Sequence, residues 1–192
     1  MNRKTMNKKR CAWVNELNPV YVKYHDFEWG KPLKRDQKLF EMLCLEGAQA
    51  GLNWEMILNK RDNYKKAFLN FDIKKCSKLS DKYLNNLLND SGIVRNKLKV
   101  YSVRANARAT LEIQKEWGSL SKYLWSYVDE RPLQNNWKSI NEIPSSTDLS
   151  QNISKDLKKR GFKFVGPTII YAFMQAVGLV NDHTVDCFLF KD

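Results

Sequence analysis

The stretch Leu157-Lys158-Lys159-Arg160-Gly161-Phe162-Lys163-Phe164-Val165-Gly166-Pro167-Thr168 decides how the chain is organised. Apolar residues at helical spacing occupy 149–157, and Gly161 suits the left-handed conformation in which helices commonly end. Gly166 lets the backbone turn tightly into a second helix, opened by Pro167 and periodic over 168–177. A helix start of this kind offers unpaired backbone N–H groups and a positive dipole end to an anion. Lys158, Lys159, Arg160 and Lys163 add charge around it. Two readings fit: a grip for phosphates, or an ordinary connection between helices.

Towards the N-terminus the periodicity stays helical. Leu39, Phe40, Leu43 and Cys44 recur at three- and four-residue spacing behind Asp36, a candidate cap, and residues 79–88 and 93–111 repeat the pattern. Pro19 after Asn18 reads as another first-turn proline. No run alternates apolar and polar residues between hairpin turns. A single all-α domain of about eight or more helices is expected, given usual helix lengths. Residues 131–148, with two prolines and several Asn and Ser, read as a long connection between two lobes.

Lys and Arg number 33 against 21 Asp and Glu, a net charge of +12 over 192 residues. The excess favours a polyanionic partner, nucleic acid or an acidic membrane surface, although a merely solvated basic surface fits the charge equally well. Residues 1–10 hold five basic side chains and no acidic one, with no apolar run behind them. They read as a flexible basic arm ahead of a domain spanning 11–192, not as a signal peptide or anchor. No segment reaches the roughly 18 uninterrupted apolar residues that cross a bilayer. Four cysteines are too sparse for a disulfide scaffold, so reduced thiols and a cytoplasmic setting are expected. Cys44 and Cys76 sit in apolar-periodic segments and read as small core residues.

Both histidines of the chain lie near cysteines. His183 and Cys187 are four apart, a spacing that puts imidazole and thiolate on one helical face or close together in a tight loop. Cys11 and His25 are 14 apart near the other end. Two Cys and two His would complete a closed tetrahedral zinc site joining distant segments, where loop closure is most costly. Incidental pairs remain the competing reading.

Glu46 falls among apolar and small residues in Leu43-Cys44-Leu45-Glu46-Gly47-Ala48-Gln49-Ala50-Gly51-Leu52-Asn53-Trp54, so it is either a partly buried carboxylate or the exposed Glu of an amphipathic helix. Aromatics crowd the N-terminal third: Trp13, Tyr21, Tyr24, Phe27, Trp29 and Trp54. They either fill core or form a cage that stacks an extruded base. Arg95, Lys97, Lys99, Arg104 and Arg108 make a second basic stretch.

Taken jointly, these segments resemble the DNA-3-methyladenine glycosylase I family, a branch of the helix-hairpin-helix glycosylases. The resemblance rests on Cys11-Ala12-Trp13, on Tyr24-His25-Asp26-Phe27-Glu28-Trp29-Gly30, on Leu45 through Trp54, and on Lys158 through Cys187. It implies a compact all-α domain in which Cys11, His25, His183 and Cys187 bind one structural zinc. It implies that Glu46, the catalytic candidate, hydrogen-bonds the modified adenine. Trp13, Tyr21, Tyr24, Trp29 and Trp54 would wall the pocket, Trp13 and Trp54 stacking on the base. Leu52 matches the residue that wedges into the duplex. Lys158, Lys159, Arg160, Gly161, Lys163, Gly166 and Thr168 would grip phosphates. Asp182, where related branches carry a catalytic Asp, reads as part of the zinc loop.

The expected reaction is hydrolysis of the N-glycosidic bond of 3-methyladenine in double-stranded alkylated DNA, releasing the free base and leaving an abasic site. A monomer without membrane partners is expected, and no lysine stands out as a Schiff-base nucleophile for strand cleavage. The alternatives are a non-enzymatic zinc-clipped DNA-binding protein, and a basic helical scaffold that binds another protein.

Overall fold

A computed structural model describes residues 8–190. Ten α-helices are assigned among them: α1 (Pro19–Phe27), α2 (Asp36–Gln49), α3 (Trp54–Asn59), α4 (Arg61–Ala67), α5 (Ile73–Ser77), α6 (Asp81–Leu87), α7 (Lys97–Trp117), α8 (Leu120–Trp125), α9 (Asp148–Lys159) and α10 (Pro167–Ala176). Their starts follow local chemistry. The Asn18 side chain accepts from the N–H groups of Val20 and Tyr21 ahead of Pro19, and Thr147 forms a capping box with Ser150.

Helix α2 is the axis of the fold. Every residue from Leu39 to Ala48 is buried, because α7, α8 and α10 pack around it. A helix covered on all sides is a core helix, and any carboxylate it carries leaves bulk water with it. This is why Glu41 and Glu46 are both buried.

Three expectations change. Asp36 stands at the start of α2 but does not cap it: its carboxylate accepts from the N–H groups of Leu120 and Ser121 at 2.9 Å and from Gln114. It therefore caps α8, more than eighty residues away in sequence. Residues 131–148 are not bare loop. They contain β1 (Leu133–Gln134), which pairs in parallel with β2 (Val180–Asn181), and a short 3-10 turn at Ile140–Glu142. Of the expected basic arm, residues 1–7 lie outside the described residues, whereas Arg10 is bound bidentately to Asp26 and the Lys9 carbonyl accepts from the Phe188 N–H.

The turn between α9 and α10 is held rigidly. Gly161 adopts φ +92° after α9, a conformation costly for any residue with a Cβ. The buried Asn106 of α7 clamps Lys163 by both backbone groups, accepting from its N–H and donating to its carbonyl. Phe164 packs directly on α2: a Cβ on Gly47 would lie 3.1 Å from Phe164 Cβ. The turn thus sits against the residue that follows Glu46. No helix among the described residues is long and apolar enough to cross a membrane.

Candidate active site and metal centre

Two carboxylates on the same buried helix have opposite environments. Burial works against the charge of Glu41, but Arg61 and Lys38, each donating at 2.7 Å, overcome it and hold its pKa below the usual range. Glu46 has no such partner: no described group donates to it, and burial alone pushes its pKa up to about 8. An unpaired acid at the same depth as a fully paired one is costly for stability, and costs of this kind concentrate at functional sites.

Glu46 borders a cavity of about 300 Å³. Trp13, Tyr21, Tyr24, Trp29 and Trp54 all line it. The rings support one another, with Trp13 centred 5.3 Å from Tyr21 and 4.9 Å from Trp29, and Tyr24 5.5 Å from Trp54. Burial, with lesser help from Glu55 and Glu46, raises the Tyr21 phenol to about 12, and burial raises Tyr24 further, so both are neutral. The Trp54 indole N–H is buried without a partner. Phe27 is not part of this wall: it is 67% exposed on the outer side of α1. Such a volume is at the lower end for small-molecule pockets, roughly 300–1,000 Å³, and suits one flat heterocycle.

Five lining residues were not singled out in the sequence: Gln49, Ile140, Ile143, Ala172 and Gln175. Gln49 had a signal, since it follows Glu46 by three positions on α2. The two isoleucines did not, because they reach the cavity from the 131–148 segment.

Behind the aromatic wall, Cys11, His25, His183 and Cys187 converge, all buried, their donor atoms within 4.8 Å of one another. The group can hold a metal ion. His183 Nδ1 lies 3.4 Å from Cys11 Sγ and 3.5 Å from Cys187 Sγ, and His25 Nε2 lies 3.5 Å from Cys187 Sγ. His25 Nδ1 meets Asp26 at 2.8 Å, and Asp26 is gripped by Arg10, the outer support that orients a ligating imidazole. Trp29 joins the two sites, lining the cavity while meeting the His183 ring edge-on at 4.7 Å. Asp182 does not face this cluster; its carboxylate is engaged by Asn135, Trp137, Tyr171 and Gln175.

On the outer surface, Leu52 is 36% exposed in the turn between α2 and α3. Lys158, Lys159, Gly161, Lys163 and Thr168 are exposed around the turn into α10, and Gly166 is the N-cap residue of that helix. Arg160 differs from its neighbours. Its guanidinium is bound by Glu116 and Asp156 and lies over the Tyr123 ring, so its charge is already answered within the protein.

A family model described as methyladenine glycosylase matches residues 13–190. DNA-3-methyladenine glycosylase 1 of Escherichia coli strain K12 is 47% identical over 179 residues, covering 93% of this chain and 95% of the relative. A crystal structure of 3-methyladenine DNA glycosylase I superimposes with a TM-score of 0.93 at 46% identity, over 95% of this chain and all of that one. The Staphylococcus aureus enzyme, described for its recognition of 3-methyladenine, gives 0.89 at 36% identity over 91% and 93% of the two chains. With so much of its length matched, and with its buried acid, aromatic cavity and Cys/His cluster in place, the chain belongs to the methyladenine glycosylase family.

Proposed function

We propose that the protein is a DNA-repair N-glycosylase that releases 3-methyladenine from alkylated duplex DNA. The observation that carries this reading is the unpaired Glu46 carboxyl at the wall of an aromatic cavity sized for one base. The relatives named above supply the substrate class.

Methylation at N3 leaves adenine formally cationic. When the bond between the base nitrogen and the sugar C1′ breaks, its electron pair passes to the ring and neutralises that charge, so no prior protonation is needed. Water then bonds through oxygen to C1′ and loses a proton, leaving an abasic sugar and a neutral base. Selection can therefore rest on binding. Ring faces attract a cation by about 0.5–2 kcal/mol per good contact, and Trp13 and Trp54, which line the cavity, are the proposed stacking partners. Burial favours the protonated form of Glu46, with its pKa raised to about 8. A cationic base brings donors and charge that compensate its burial, so the acid ionises and accepts charge-assisted hydrogen bonds.

Extrusion of the base needs a grip on the duplex. Leu52, beside the cavity, is the proposed wedge. Lys158, Lys159, Lys163 and the free backbone N–H groups at the start of α10 are the proposed phosphate contacts, with Arg160 serving chiefly to brace α9. The proposed reaction is base release without strand cleavage.

The metal is proposed to be zinc. Two thiolates and two imidazoles form a common structural zinc set. A tetrahedral zinc with ordinary bond lengths separates sulfur from nitrogen by about 3.6 Å; the observed separations are 3.4–3.5 Å. Four protein donors leave no place for water, so the ion would tie Cys11 to His183, 172 positions apart, and take no part in the reaction.

The test is base release. Purified protein incubated with methylated DNA is expected to liberate free 3-methyladenine, with strands staying intact until alkali cleaves the abasic sites. A folded protein that binds this DNA and frees no base would instead favour the non-enzymatic DNA-binding alternative.

A further inference from the structure

We propose that Gln175 reads the extruded base through its side-chain carbonyl, and that Asp182 is the positioning residue that decides which end of that amide faces the cavity. The inference rests on the glycosylase reading and deepens it.

Gln175 lies on α10 and lines the same cavity as Glu46. Its Nε2 donates to Asp182 Oδ2 at 2.7 Å. Asp182 is wholly buried, and its carboxylate accepts from three more side chains. Tyr171 Oη lies 2.6 Å from Oδ2, and Asn135 Nδ2 and Trp137 Nε1 lie 2.7 and 2.9 Å from Oδ1. Four donors fix this carboxylate in place. A carboxylate only accepts, so an amide turned the other way would set two oxygens against each other without a proton between them. Gln175 is therefore held with its nitrogen inward. No described group donates to Gln175 Oε1, which is left as an acceptor at the cavity.

Gln175 Oε1 is thus an acceptor that cannot turn into a donor, whereas the Glu46 carboxyl, the neutral Tyr21 and Tyr24 hydroxyls and the Trp54 N–H of the same lining can all donate. Where the ring meets this fixed acceptor, an exocyclic amine is favoured and a carbonyl at the same position is disfavoured. It selects 6-aminopurines over 6-oxopurines. The same Asp182 oxygen that holds Asn135 and Trp137 also braces the segment leading to Ile140 and Ile143, so one carboxylate sets both a hydrogen-bonding group and part of the apolar wall.

The test uses Gln175→Met, which keeps length and removes the amide, and Tyr171→Phe, which takes a different donor from Asp182 without touching the cavity. Tryptophan fluorescence titrations with free 3-methyladenine and its 6-oxo analogue, 3-methylhypoxanthine, give the two affinities. Gln175→Met is expected to weaken 3-methyladenine about tenfold, the worth of one net hydrogen bond, while the 6-oxo analogue changes less than about twofold. Tyr171→Phe is expected to keep the wild-type ratio. The proposal is overturned if Gln175→Met keeps the ratio, or if Tyr171→Phe lowers it equally, since Asp182 would then be bracing alone. Thermal melts confirm that each variant is folded. Wild-type protein that frees no base from methylated DNA would overturn the glycosylase reading and this proposal together, a result separate from an unchanged ratio.

Discussion

Glu46→Gln is expected to make the protein markedly less active and, increasingly above about pH 4.5, more stable. Both effects have one cause. The Glu46 carboxyl ionises near pH 4.5 in the unfolded chain and near 8 in the fold, where burial opposes its charge. Between those values the unfolded state has released the proton and the folded state still holds it. Native stability contributed by the neutral acid is thus complete below about 4.5 and is lost as pH rises towards 8, at about 1.36 kcal/mol per unit. Glutamine does not ionise. The variant should gain on the order of 4 kcal/mol over the parent near pH 8, the difference fading to little near pH 4.5. Denaturant titrations at several pH values measure it. The same change removes a charge-assisted acceptor worth about 1.5–3 kcal/mol, so base release should fall about 10- to 100-fold. Equal stability at pH 8 would mean that Glu46 is not the isolated buried acid described above. Full activity would remove it from recognition.

Metal removal is expected to have the larger effect on the fold itself. Structural zinc contributes apparent free energies of about 10–16 kcal/mol in small zinc-dependent domains, comparable to the whole net stability of a typical protein, about 5–15 kcal/mol. Here the ion would close a loop spanning nearly the entire chain. Purified protein should carry about one zinc per chain. Chelator, or Cys187→Ala, should lower the melting temperature by more than about 10 °C, since each kcal/mol moves it by about 2–4 °C at this size. Because Trp29 rests on His183, base binding should be lost with the metal even where helix content survives. A metal-free protein with unchanged melting would contradict the assignment.

Much of this architecture was legible in local pattern. Helical periodicity and first-turn prolines carry short-range information, and α1, α2, α7, α9 and α10 stand where those signals lie. The rest depended on partners distant in the chain. Asp36 has the composition of a cap, but which helix it caps is settled by the packing of α2 against α8. The β1–β2 pair is two residues long on each side, too short to show an alternating pattern. Glu41 and Glu46 lie on one helix, and Lys38 together with Arg61, brought back by α4, holds the first charged while the second has no such donor. Arg160 reads as one more basic residue of the turn until Glu116, from the end of α7, is seen to bind it. Gln175 lies in an unbroken apolar helix face, and its meaning comes from Asp182.

The most direct measurement is the protonation of Glu46 itself, followed by carbon NMR of its side-chain carboxyl with and without 3-methyladenine. In the free protein the midpoint is expected near 8. Saturation with the base should carry it down by more than a unit, as donors of the ligand take over from water lost on burial. A free-protein midpoint in the ordinary carboxylate range, or one that does not move when the base binds, would contradict the account.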